Sequence, residues 1–342
     1  MNVSKRSTIY DIARLVNMPP STVSRILRGT GGKESSIQAV KKAASELNYF
    51  PNQIASALKS KKTNVIGIMI PRLDYPFHAA IVHNLEKRLN AQGFKTLIFQ
   101  HDNCVQSEIN GIGIFMQRQV DGIIACMASE TKDLSHFEQL IEMEKPLVLF
   151  DQINVPIKAQ QVTLNDYETG FMATKHLLEK GYENIAFLNI NNQSTESVDR
   201  LLGYRDALTE QGKFFDPRKV LNVQLSVSGG RYGLAQLFSR NLGIDAIVAG
   251  SDFTALGVIK KLGDLGMSVD RFGVIGFSNE LFTEYTTPSI STIDQQPEEF
   301  AQVCSRLLLE MIDSENPYKY ISRVTISPAL VARESTSYSI LA

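Results

Sequence analysis

The sequence predicts an α/β protein: a helix-turn-helix headpiece followed by two lobes, each a doubly wound parallel sheet. Three observations carry that prediction. From Asn64 onward, short apolar runs alternate with amphipathic helical stretches, the pattern of strand–helix–strand units. The alternation recurs over a second stretch of similar size, which makes two lobes and not one long sheet. Residues 7–49, by contrast, carry only helical periodicity. At 342 residues the chain is too long for one ordinary core, and two or three domains are expected.

The first helix comes from IYDIARLV, which sets Ile9, Ile12, Ala13 and Val16 on one face. STVSRIL turns Val23, Ile26 and Leu27 inward and leaves Ser21, Thr22, Ser24 and Arg25 outward. SSIQAVKKAASELNYF opens on a serine cap and repeats Ile37, Val40, Ala44 and Leu47 at helical spacing. In YFPNQIASALKSKKT, Pro51 suits a first turn, and Ile54, Ala57 and Leu58 line one side of a short helix. The first lobe reads as strand NVIGIMIP, a helix ending at Gly93, strand KTLIFQ, a helix to about Met116, strand DGIIACM, a helix around FEQLIEME and strand PLVLFD. The second reads as helix TGFMATKHLLEKG, strand NIAFLNI, helix LLGYRDALTEQG, strand RKVLNVQL, helix GGRYGLAQLFSR, strand AIVAGSD, helix FTALGVIKKLGDLG and strand FGVIGFS. FAQVCSRLLLEMI is a late helix, and YKYISRVTISPALVARES supplies closing strands. The expected division is a helical head over 1–50, a short helix and linker over 51–63, a two-lobed core over 64–335, and a tail over 336–342.

The net charge of −1 conceals a split. Residues 1–62 hold eleven Lys and Arg against three acids, a net of +8, and the remainder carries −9. A basic head on an acidic body points to a polyanionic partner for the head. Two short helices across a tight turn fit either a DNA-reading helix-turn-helix or a generic three-helix protein-binding bundle, because both need the same apolar contacts. Cys104, Cys126 and Cys304 are far apart, with neither a disulfide framework nor a metal spacing, as suits a reducing cytosol. MNVSKRSTIYD has no apolar signal segment and no apolar run reaches membrane-spanning length, so a cytoplasmic protein with no membrane partner is expected. His78, His83, His101, His136 and His176 show no ligand spacing, and no GxSxG or phosphate loop occurs. Neither cofactor, metal nor catalytic residue is expected.

IYDIARLVNMPPSTVSRILRG resembles the headpiece of the lactose/galactose-repressor family of transcription regulators, and ELNYFPNQIASALKSKKTNVIGIMIP resembles their hinge. GIIACM, LVLFD, RLLGYRDAL, GSDFTALGVIKKL, VIGFSN and TTPSISTIDQ match successive strand ends of the family's core, in order. The resemblance implies a periplasmic-binding-protein-like core, a homodimer on double-stranded operator DNA, and a sugar-like small-molecule effector. It implies DNA contacts from Thr8, Tyr10, Pro20, Ser21, Thr22, Ser24 and Arg25 in the headpiece and from Asn52, Ala55, Leu58 and Lys59 in the hinge. There Leu58 would wedge into the minor groove, and Lys59, Lys61 and Lys62 would meet phosphates. A short tail without heptad leucines implies a dimer and no tetramer-forming appendage.

Ligands of doubly wound sheets bind beyond the carboxyl ends of the strands. That rule nominates Asp74, Phe77, Asp102, Asp151, Ser251, Asp252, Ser278 and Asn279, with Arg200 opening a nearby helix. Carboxylates, an arginine and a ring suit a polyol, although an aspartate at a strand end also serves as a plain helix cap, the preferred reading for Asp102. The family match strengthens ligand contact for Asp151, Arg200 and Asp252. Three departures stand out. Pro19 stands where the family has a serine before the recognition helix, and with Pro20 it implies an altered operator preference; Ser278 stands where an aspartate is usual and Leu225 near a usual aromatic, and these two leave a sugar phosphate or another small polar metabolite open beside a free sugar. A plain solute-binding protein would need a signal peptide and no basic head, and a sugar-handling enzyme would need a base and a phosphate loop.

Overall fold

The computed structural model describes residues 7–27, 29–49, 62–153, 155–190, 195–267 and 271–337. The chain divides into two units, 1–63 and 64–342. The hinge residues Asn52, Ala55, Leu58 and Lys59 lie outside the described residues.

The first unit contains α1 (Ile9–Leu15), α2 (Pro20–Leu27) and α3 (Glu34–Glu46). Ile12, Ala13, Val23, Ile26, Val40 and Ala43 form its buried centre, with Ile9, Val16, Leu27, Ile37, Ala44 and Leu47 packed around them. The small Ala13 sits where α1 meets this core, as the turn between two crossing helices requires. Thr8 starts α1: its N–H and its hydroxyl both donate to Asp11 Oδ2, at 2.8 and 2.7 Å. The chain reverses at Asn17, whose φ of 50° lies in the left-handed region that asparagine tolerates. Pro20 is the first residue of α2, and the Pro19 carbonyl accepts from the amides of Thr22 and Val23 at 2.9 and 3.1 Å. The ring thus replaces one amide that would otherwise lack a partner and presets a helical φ. The serine cap expected for α3 is corrected: the helix begins at Glu34 and its N-cap is Lys33 in extended conformation, two residues before Ser35.

The second unit carries two six-stranded sheets. The first takes β1 (Val65–Ile70), β2 (Lys95–Gln100), β3 (Gly122–Ala125), β4 (Leu147–Phe150), β5 (Gln160–Leu164) and β11 (Arg323–Ile326), in the order 11-5-4-3-1-2, all parallel. The second takes β6 (Ile185–Ile190), β7 (Val220–Val223), β8 (Ala246–Ala249), β9 (Gly273–Phe277), β10 (Ser291–Asp294) and β12 (Ala329–Val331), in the order 12-10-9-8-6-7. Among the described residues, β12 alone runs antiparallel there. The two orders are the same winding used twice. Each sheet is covered on both faces, which is why its inner strands read as unbroken apolar runs. In β1, Ile66, Ile68 and Ile70 face one cluster and Met69 the other.

The helices of the first lobe are α4 (Pro76–Ala91), α5 (Val105–Gln117), α6 (Ser135–Glu142) and α12 (Pro297–Ile312). Those of the second are α7 (Asp166–Glu179), α8 (Thr195–Glu210), α9 (Val227–Ser239), α10 (Asp252–Asp264) and the one-turn α11 (Phe282–Tyr285). The chain crosses between lobes three times: at Asn165 after β5, at Gln295 and Gln296 before α12, and between β11 and β12. β5 was not anticipated from QQVTL, whose two glutamines hide a strand buried between β4 and β11. Thr336, placed in the tail by sequence, is 1% exposed and its hydroxyl lies 2.8 Å from His176 Nε2. No helix among the described residues is long and apolar enough to cross a membrane.

Candidate functional sites

The headpiece presents a polar face opposite its core. Thr8, Tyr10, Ser21 and Arg25 are exposed, and Pro20, Thr22 and Ser24 are half-buried, while Val23 and Ile26 on the other side of α2 are buried. Tyr10 is 67% exposed, a large ring left in solvent with no core to fill. Ser21 and Arg25 are four apart and share one helical face. This face is uncharged except for the arginine, the arrangement needed to approach base edges while other basic residues meet phosphates.

In the first lobe, the strand ends bring together residues far apart in sequence. Asp151 follows β4 with φ 66°, and its Oδ2 lies 2.9 Å from His78 Nε2 in the first turn of α4. Cys126, directly after β3, places its sulfur 3.8 Å from both His78 Nε2 and Asp151 Oδ2. Burial pushes the Cys126 thiol well above its ordinary range, with Asp151 adding to the effect. His101 is buried beneath and its Nε2 lies 3.1 Å from the Cys126 carbonyl; burial lowers its pKa. Sequence spacing gave no hint of the His78–Cys126–Asp151 group, because its members come from three elements. Asp74 is exposed and held by Arg72, whose Nε donates to Oδ1 at 2.8 Å and whose guanidinium keeps the carboxyl below its usual range. Phe77 stands edge-on to Phe300 at 5.5 Å and packs on the lobe core. Asp102 has φ 52° and is exposed.

In the second lobe, Arg200 on α8 is 7% exposed and its Nε donates to Asp166 Oδ1 at 2.7 Å. Its guanidinium lies over the Phe277 ring, 4.9 Å from the centroid. Its two terminal nitrogens make no hydrogen bond to a described residue. Burial raises the Asp166 carboxyl, and Arg200 pulls it back. Arg200 can stand there because α7 and α8 touch backbone to backbone: a Cβ on Gly170 would lie 2.0 Å from the Arg200 carbonyl, and one on Gly203 2.0 Å from that of Tyr167.

Two expected ligand residues are occupied by the protein itself. Asp252 is fully buried; Oδ1 accepts from the Thr292 hydroxyl at 2.6 Å and Oδ2 from the Glu280 amide at 2.8 Å. It ties the start of α10 to the β9–α11 loop and to β10, with both oxygens engaged and the side chain out of contact with solvent. Asn279 donates to Asp294 Oδ2 at 3.0 Å and accepts from Arg333 at 2.9 Å, so both ends of its amide are engaged within the lobe. Ser278, with φ 109°, donates to Gln295 on a crossover at 3.1 Å. Ser251 caps α10 through the Thr254 amide, and Leu225 is 43% exposed.

A helix-turn-helix ahead of a two-lobed parallel-sheet core defines the class of ligand-responsive transcription regulators. The family model "Bacterial regulatory proteins, lacI family" matches residues 8–52, and "Periplasmic binding proteins and sugar binding domain of LacI family" matches residues 63–325. The chain is 30% identical over 335 residues to the HTH-type transcriptional regulator DegA of Bacillus subtilis (strain 168), covering 97% of this chain and 98% of that one. It is 26% identical to the ribose operon repressor of Haemophilus influenzae (strain ATCC 51907 / DSM 11121 / KW20 / Rd), covering 96% and 98%. Among solved structures, the CelR–cellobiose complex matches with a TM-score of 0.71 at 25% identity, covering 96% of this chain and 100% of that one. The lac repressor dimer bound to operator matches in fold, with a TM-score of 0.83 at 21% identity and coverage of 98% and 100%. The chain belongs to the LacI family: it is a DNA-binding transcription regulator with an effector-binding core.

Proposed function

We propose that the chain is a cytoplasmic repressor that binds a near-palindromic operator as a homodimer and releases or grips it according to a small polar effector held between the lobes. The observation that carries this reading is the exposed face of Tyr10, Ser21 and Arg25, set against buried Val23 and Ile26 in a segment of net charge +8. Arg25 would read guanine or hold a phosphate. Pro20 has no donor and would pack on a thymine methyl, shifting operator preference beneath it. Base-by-base operator substitution measures this: discrimination concentrates under Pro20 and Arg25, and equal tolerance at every position would remove the assignment.

The effector reading rests on Asp151 and on Arg200, whose terminal nitrogens suit a carboxylate, phosphate or vicinal hydroxyls. A sugar or sugar phosphate fits this pair, with relatives named for ribose and cellobiose supporting the class. Asp252 and Asn279 hold the lobe together behind it. A thermal-shift screen of sugars and sugar phosphates, repeated with Arg200→Ala, tests the site. The hit is expected to vanish in the variant, and a shift unaltered by the substitution would take Arg200 out of it.

A further inference from the structure

We propose that His78, Cys126 and Asp151 form a binding site for a divalent cation of the zinc class. The three donor atoms already lie 2.9, 3.8 and 3.8 Å from one another. A tetrahedral ion bound at ordinary Zn–N, Zn–O and Zn–S lengths holds its donors about 3.3–3.6 Å apart. Shifts of a few tenths of an ångström therefore admit the ion, with no rearrangement of backbone.

The positions of the donors are set by the sheet. β4, β3 and β1 are adjacent strands running parallel, so their carboxyl ends sit side by side. Asp151 follows the first, Cys126 the second, and His78 enters on the helix after the third. Each is fixed locally: the Cys126 amide donates to the Met69 carbonyl at 2.9 Å, and the Asp151 amide to that of Val162 at 2.9 Å. The His78 ring is wedged against Tyr75, Phe77 and Phe150, with centroids 6.0, 5.5 and 6.4 Å away. Its Nδ1 is buried with no partner among the described residues, so its polar contacts converge on the Nε2 side, toward the cysteine and aspartate.

The donor set selects the ion. One imidazole nitrogen, one sulfur and one carboxylate oxygen suit zinc and its neighbours, whereas magnesium and calcium demand oxygen ligands. On binding, the imidazole carries its proton on Nδ1, and the thiol loses one proton to solvent. Thiolate and carboxylate then balance the 2+ charge. Asp151 is the most exposed of the three side chains, at 16% against 8% for His78, so a fourth coordination position opens on its side. The assignment does not depend on the effector reading, since the ion binds the free chain without sugar or DNA.

Cobalt(II) titration of the reduced, metal-free, full-length chain tests it. One equivalent is expected to produce a near-ultraviolet thiolate charge-transfer band and the visible bands of tetrahedral cobalt, both removed by added zinc. Cys126→Ser is expected to abolish the charge-transfer band, and Cys104→Ser, at an exposed position, to leave it unchanged. Asp151→Asn, which keeps the side-chain volume, is expected to weaken binding by more than about a hundredfold, beyond the roughly 10–100-fold that loss of an outer-shell partner costs. Circular dichroism confirms that each variant is folded; if Cys126→Ser is not, Asp151→Asn decides. Absence of the band in the parent chain, its survival in Cys126→Ser, or unaltered affinity in Asp151→Asn would overturn the site.

Discussion

Asp252 shows how one residue type at one kind of position serves two ends. Burial lifts its carboxyl to about 7, although the Thr292 hydroxyl and the Glu280 amide both favour the charged form. A carboxyl raised on folding makes the native state bind more protons than the unfolded chain between about pH 4 and pH 7. Stability is therefore expected to fall as pH rises through that window, by up to about 4 kcal/mol from this group. Asp252→Asn retains both contacts, its oxygen accepting from Glu280 and its amide donating to Thr292. Denaturant unfolding at pH 5 and pH 7 should show a smaller loss for the variant than for the parent, and equal losses would mean that Asp252 does not titrate there. Sequence placed Asp252 correctly at a strand end but could not separate ligand from internal lock. The residues that decide, Thr292 and Glu280, are 40 and 28 positions away. His78 is the converse case, read as ordinary from its own neighbours and joined to Asp151 across 73 positions.

At the scale of elements, the pairing of α7 with α8 sets up the second lobe's part of the site. Gly170 and Gly203 let the two backbones touch, and Arg200 reaches Asp166 as a result. Gly203→Ala forces a methyl into the Tyr167 carbonyl. The expected cost is about 3 kcal/mol, a fall in melting temperature of roughly 6 °C or more in a scanning thermal melt. An unchanged melting temperature would mean that the helices separate freely. Most elements were legible in the sequence because doubly covered strands and amphipathic helices carry strong periodicity. β5 was not, since Gln160 and Gln161 interrupt the apolar run: the Gln160 side chain is spent on Tyr320 and Ser322, and that of Gln161 on Ile157. In the headpiece, the proline pair announced the start of α2 through its own stereochemistry, with no distant partner required.

At the scale of the whole molecule, the division of charge is the governing feature, +8 on the first 62 residues against −9 on the rest. Lysine and arginine contacts to phosphate release counterions, so operator affinity should fall steeply with salt. If a dimer meets six to ten phosphates, the loss between 50 and 200 mM salt is about 10³–10⁵-fold. A shallow dependence in a fluorescence-anisotropy titration would deny the headpiece that role. Effector and operator are also coupled reciprocally: whatever factor the effector applies to DNA affinity, DNA applies to effector affinity.

The most direct test is enrichment of genomic fragments on the purified full-length chain, followed by titration of the recovered site against random duplex. A near-palindromic sequence bound at least about a thousandfold more tightly than random DNA is expected, with Arg25→Ala narrowing the gap. Equal affinity for recovered and random duplexes, with and without candidate effectors, would contradict the assignment of the first unit as a sequence-reading headpiece.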